Sequence, residues 1–168
     1  MTIVYTSKTG FTREYAQMLG RAAGLPVCAL DEATGKVGPG SDILYLGWLM
    51  AGHISGIDHA VKRFHVRAAC GVGMTPPGDK VLQDLARSNY EPNAPIFYLQ
   101  GGWAPKKVGW LQRRMVGMAT RGLRQSLQQK RERTPQEQRQ LDLLLRGGSC
   151  VAFRNLTPLL EWLKKQEG

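Results

Sequence analysis

The chain is short of acidic residues, of cysteine and of long apolar runs. Only 13 Asp and Glu stand against 23 Lys and Arg in 168 residues. No apolar stretch approaches the roughly 18–20 residues that cross a bilayer. The opening MTIVYTSKTG has no basic region leading into an apolar signal core. The expectation is a cytoplasmic protein. Cys28, Cys70 and Cys150 are an odd count at wide spacing, and no C-x-x-C pair is present, which argues against a disulfide framework and against zinc. Each cysteine reads as a small buried apolar residue. Neither G-x-x-x-x-G-K-[ST] nor G-x-G-x-x-G occurs, which weakens nucleoside-triphosphate and dinucleotide readings. His53, His59 and His65 are spaced by six, which fits no helical metal pair, and they read as solvated or capping groups. Internal repeats and low-complexity tracts are also missing.

What is present is ordinary for a globular chain: 42% hydrophobic and 21% charged residues, in a length that suits one domain over residues 1–168. Thr2 to Thr6 is a β-rich run, and from Phe11 the spacing turns helical through Tyr15, Met18, Leu19 and Ala22 until Gly24 and Pro26. Pro26 to Leu30 reads as a second strand and E-A-T-G-K-V-G-P-G-S as a loop. Asp42 to Gly47 is a continuous apolar strand covered on both faces, and Trp48 to Gly56 a loop. A short helix through Ile57 and Phe64, a strand from Val66 to Val72, a helix capped by Asp79 and a strand from Pro95 to Leu99 complete an alternation of five strands with helices. That rhythm implies a doubly wound α/β domain with a parallel sheet, whose ligands bind beyond the carboxyl ends of the strands. Beyond Gly102 the spacing predicts helices over Val108 to about Lys130, Pro135 to Arg146 and Thr157 to Lys165, with Cys150 to Phe153 as a possible edge strand.

The turn Ser7-Lys8-Thr9-Gly10-Phe11-Thr12 sits between the first strand and the first helix. It gathers backbone N–H groups and three hydroxyls at a helix N-terminus, where the dipole favours an anion by about 0.3–1 kcal/mol. A plain helix cap is the simpler use of the same residues. The turn resembles the S/T-x-T-G-x-T phosphate loop of flavodoxins, and the element order through residue 99 resembles that family too. The resemblance implies a five-stranded sheet in the order 2-1-3-4-5 and flavin mononucleotide (FMN) as cofactor. It also implies that the ring lies between the loops after strands 3 and 4. The matching positions are Trp48, Leu49, Met50 and Ala51, then Gly73, Met74 and Thr75. Trp48 offers a flat polarizable face, while Gly47 and Gly52 allow close backbone approach. Core packing is the bland alternative for Trp48. His53 lies in the same loop. The second loop lacks the tyrosine common in that family. Flavin carries its own electron chemistry, so the protein needs no acid–base constellation, and none is evident.

The basicity belongs to one segment: residues 104–133 hold nine Lys and Arg against Glu132 alone. A helical insertion or extension after strand 5, at about 104–146, is therefore expected on the sheet domain. In placement and character the run from Gly101 to Met118 resembles the insertion of flavodoxin-like bacterial protoporphyrinogen oxidases, which use FMN and pass electrons toward membrane quinones. The expectation is an FMN-binding oxidoreductase or electron-transfer protein. The alternative is a flavin-free module that binds a partner through its basic helix. On a helical wheel Val108, Leu111, Met115, Val116, Met118, Ala119 and Leu123 share one half, expected to face the core. Arg113, Arg114, Arg121 and Arg124 share the other, with Trp110 among them. Together with Lys106 and Lys107 they suit an anionic membrane surface, at its inner face, or an acidic protein. Nucleic acid ranks lower for want of a recognition motif. A homodimer interface is a further use of the apolar half.

Overall fold

The computed structural model describes residues 1–89 and 94–166. The central sheet begins with β1 (Thr2–Thr6), followed by α1 (Phe11–Ala23), β2 (Val27–Ala29) and α2 (Leu30–Lys36). Then come β3 (Asp42–Met50), β4 (His53–Ile54), α3 (Ile57–Arg63), β5 (His65–Gly73), α4 (Asp79–Ser88) and β6 (Ile96–Gln100). The five long-range strands are parallel in the order β2-β1-β3-β5-β6, and β4 adds an antiparallel partner to β3. This is the doubly wound, flavodoxin-like order expected from the sequence.

Strand residues alternate between the two faces, and both faces are covered. Ile3, Leu44, Leu46, Ala68 and Cys70 pack with Tyr15, Ala16 and Leu19 of α1 and with Leu159 and Leu163 of α8 (Thr157–Gln166). Their neighbours Val4, Ile43, Tyr45 and Ala69 face Ala33, Ile57, Ala60 and Leu85 on α2, α3 and α4. Burying both faces is why Asp42 to Gly47 reads as one apolar run. Each fully buried aliphatic side chain contributes about 1.5–3 kcal/mol.

Four features of this unit differ from expectation. Residues 32–36, read as loop, belong to α2: Asp31 and Glu32 in the first turn complement the helix dipole, and Lys36 bonds Glu32 at 2.7 Å. Trp48, Leu49 and Met50 continue β3 instead of starting a loop. The chain then reverses at Ala51 and Gly52, whose φ values of 50° and 81° are both left-handed, as a two-residue hairpin requires. Asp79 is the first residue of α4 and not its cap, which is Gly78. Residues 150–152 are not a strand, and a 3₁₀ turn covers Phe153–Leu156.

Two compact units divide the chain: residues 1–101 with 151–168, and residues 102–150. The basic segment is thus inserted between β6 and α8. It contains β7 (Gly102–Trp103), α5 (Trp110–Ala119), α6 (Arg121–Gln129), α7 (Pro135–Arg146) and β8 (Gly148–Ser149), with β7 and β8 paired antiparallel. Thr134 and Glu137 form a reciprocal capping box at the start of α7. Leu127, Leu141, Leu143 and Leu144 are buried.

The single long helix expected from Val108 is two helices. Thr120 breaks it: its hydroxyl donates to the Val116 carbonyl at 2.7 Å, and Arg124 Nη2 reaches back to the Gly117 carbonyl at 2.8 Å. Hydroxyl back-bonding of this kind bends helices. The apolar half expected to face the core does so only in part: Val108 is buried and Val116 partly buried, but the other members are exposed. No α5 residue is buried, Leu111, Met115 and Met118 are exposed, and the partly buried positions are Gln112, Val116 and Gly117.

Candidate functional site

The strand order reverses between β1 and β3, and doubly wound sheets bind ligands at such a point, on the loops that leave the carboxyl ends of the strands. Ser7 to Thr12 forms the first of these loops. Gly10 caps α1 with φ 103°, a left-handed conformation that suits glycine. Its N–H donates to Ser7 Oγ at 3.2 Å, which leaves the Ser7 hydroxyl proton available to another acceptor. The N–H groups of Phe11, Thr12 and Arg13 open the helix and have no helical acceptor by position. Thr12 is buried, Ser7, Thr9, Gly10 and Phe11 are partly exposed, and Lys8 is exposed. A phosphate would therefore meet Ser7, Thr9 and the helix-opening amides before the Thr12 side chain.

Trp48 lies on β3, paired in register with Val72 of β5, and is partly buried. Lys8 Nζ stands over its ring, 5.2 Å from the centroid. Loop and ring are therefore brought together. Leu49 points at β5: a Cβ built on Gly71 would come within 2.8 Å of its side chain and one on Gly73 within 3.1 Å. Met50 and Ala51 form the exposed tip of the hairpin. Gly73, Met74 and Thr75 follow directly on Val72. Their three carbonyls accept from Gly101 N at 2.8 Å, Gln100 Nε2 at 3.1 Å and Tyr98 Oη at 2.5 Å respectively.

Several residues that set this geometry were not singled out in the sequence. Tyr98 and Gln100 hold the second loop. Asn89, buried at the end of α4, accepts from Ile54 N at 2.6 Å and donates to Gly52 O at 2.6 Å and Leu85 O at 3.0 Å, which fixes the hairpin. The Tyr45 and Thr6 hydroxyls converge on the Ser55 carbonyl, each at 2.7 Å, tying β1 to the segment after the hairpin. Burial pushes the Tyr45 phenol up to about 12, against the opposing effect of its Thr6 hydrogen bond. The only advance signal for these groups is a polar residue at the end of an apolar run, as in I-F-Y-L-Q.

His53 pairs with Asp58 at 3.0 Å, and His65 with Asp42 at 2.6 Å at the opposite, amino-terminal end of the sheet. The hydrogen bond from His65, helped by Arg67, holds the Asp42 carboxyl below the usual range. At that end a cavity of about 240 Å³ is lined by Met1, Leu25, Asp42, Arg67, Trp162, Leu163 and Gln166. Arg67 there already bonds Asp42 and Gln166. Among the described residues no group of three or more His, Cys, Asp or Glu could hold a metal ion. Likewise, no described helix is long and apolar enough to cross a membrane. No family model matches the chain, and no curated protein matches it.

Proposed function

We propose that the protein binds FMN in the crevice between β1 and β3 and works as a flavodoxin-like oxidoreductase or electron-transfer protein. The observation that carries this reading is the meeting of the Ser7–Thr12 loop with Trp48 through Lys8, where the strand order reverses. Ser7, Thr9, Gly10 and the amides that open α1 hold the phosphate, with Lys8 adding positive charge. Trp48 flanks the ring, together with the backbone of the hairpin and of Gly73 to Thr75. FMN would supply the electron chemistry. The chain's own part is to bind it, orient it and set its electrostatic surroundings. Because Gly101 to Met118 resembles the insertion of flavodoxin-like protoporphyrinogen oxidases, that oxidation is the first activity to assay.

The test is titration of the purified protein with FMN and with riboflavin, following flavin fluorescence. Quenching at micromolar FMN is expected. Ser7→Ala with Thr9→Val should weaken FMN by roughly 100-fold or more, since the two hydrogen bonds to a charged group contribute about 1.5–3 kcal/mol each. Riboflavin, which has no phosphate, should be unaffected. Absence of quenching at micromolar FMN would overturn the reading and leave a flavin-free module.

A further inference from the structure

We propose that α5 is a docking element for an anionic lipid bilayer, with Leu111, Met115, Met118 and Trp110 entering the headgroup boundary and the neighbouring basic side chains on lipid phosphates. The proposal is independent of flavin and rests on where the helix turns its faces. Leu111, Met115 and Met118 fall within about 60° of arc on the helix, and they are 57%, 57% and 69% exposed. Trp110 beside them is 68% exposed, and Leu123 on α6 is exposed too. The partly buried positions of α5 are Gln112, Val116 and Gly117. A helix that shows water its largest apolar side chains and half-buries a glutamine and a glycine is presenting a surface for something else to cover.

The charge around that face selects the occupant. Lys106, Lys107, Arg113, Arg114 and Arg121 are all exposed, and residues 104–131 contain no acidic residue. Among the described residues, Arg113, Arg114 and Arg121 form no ion pair. Arg124, by contrast, is turned to the Gly117 carbonyl and is not counted in the docking face. A two-fold contact between copies would set one such basic face against another. A nucleic acid would meet apolar side chains at the centre of the contact, where phosphates need cations. An apolar stripe flanked by Lys and Arg, with Trp at its border, matches the interfacial helix that lies in the plane of an anionic membrane.

The full chain should sediment with vesicles of phosphatidylcholine containing about one third phosphatidylglycerol. Binding should be at least about tenfold weaker on phosphatidylcholine alone and should fall as salt is raised. Trp110 emission should shift to the blue on the anionic vesicles, a change that Trp110→Phe removes. The triple variant Leu111→Gln, Met115→Gln, Met118→Gln alters only exposed side chains. It should keep the wild-type circular dichroism and melting temperature while losing about tenfold or more in vesicle affinity. Failure to sediment, or sedimentation that the triple variant leaves unchanged, overturns the docking face. A dimer in solution that the same variant dissolves gives the face to a second copy instead.

Discussion

The ammonium of Lys8 stands 5.2 Å from the centroid of the Trp48 ring, joining the loop after the first strand to the third strand across the point where the strand order reverses. The two residues are 40 positions apart. Their contact brings the Ser7–Thr12 turn and a flat aromatic face together. If Trp48 flanks a flavin ring, Trp48→Leu should weaken FMN and riboflavin equally, up to roughly tenfold, because aromatic stacking contributes about 0.5–1.5 kcal/mol beyond its area. Fluorescence titration of both ligands checks this. A loss confined to FMN would place Trp48 at the phosphate instead.

Asn89 is the peg of the β3–β4 hairpin. Asn89→Ala removes its bonds to Ile54 N, Gly52 O and Leu85 O and leaves the buried Ile54 amide without this acceptor. The expected loss is about 2–4 kcal/mol, read as a lower urea midpoint, since an unsatisfied buried amide alone costs about 1–3 kcal/mol. Asn89→Asp keeps an acceptor for Ile54 N but sets a buried carboxylate oxygen against the Gly52 and Leu85 carbonyls, and should be no more stable than the alanine variant.

Ala51 is the one non-glycine at positive φ among the described residues. Left-handed backbone costs an alanine roughly 1–2 kcal/mol. Ala51→Gly relieves that strain, with part of the gain lost to the greater freedom of glycine when unfolded. The variant should be about 0.5–1 kcal/mol more stable by urea denaturation, and an unstable variant would mean that the hairpin is not formed as described.

Tyr45 makes stability sensitive to alkali. Its phenol is raised to about 12 in the folded protein from 10.0, so the folded state holds the proton more tightly than the unfolded chain. This contribution is fully present below about pH 10 and is lost as pH rises through about 12. Absorbance at 295 nm should show a tyrosine component that ionises late, together with unfolding, and Tyr45→Phe should reduce it.

Cysteine reactivity gives an independent check on the core. Cys70 is fully buried on β5, and burial pushes its thiol far up. Cys28 and Cys150 are partly exposed, with thiols raised more modestly by burial. A thiol reagent under native conditions should modify Cys28 and Cys150 slowly and leave Cys70 untouched, all three reacting once the chain is unfolded in urea. Rapid native modification of Cys70 would contradict the packing of β5 against α1.

By itself the sequence determined the alternation of five strands with helices, the doubly wound sheet and the turn at Ser7 to Thr12, but not α2, the β3–β4 hairpin or the break at Thr120. What it determined depends on local spacing: an apolar run for a strand covered twice, a helical stripe from Phe11, and glycine at a helix start. The hairpin at Ala51 and Gly52 was hidden because alanine is a poor signal for left-handed backbone, and a loop and a strand extension look alike over three residues. Tyr98, Gln100 and Asn89 were hidden because their partners are backbone groups many positions away, which composition does not mark. Periodicity also showed which residues of α5 share a face. Only tertiary structure decided that Leu111, Met115 and Met118 stay exposed, because burial depends on contacts that spacing does not contain. The same distinction holds for Lys8 and Trp48, each ordinary in its own segment and joined only when β1 and β3 lie side by side.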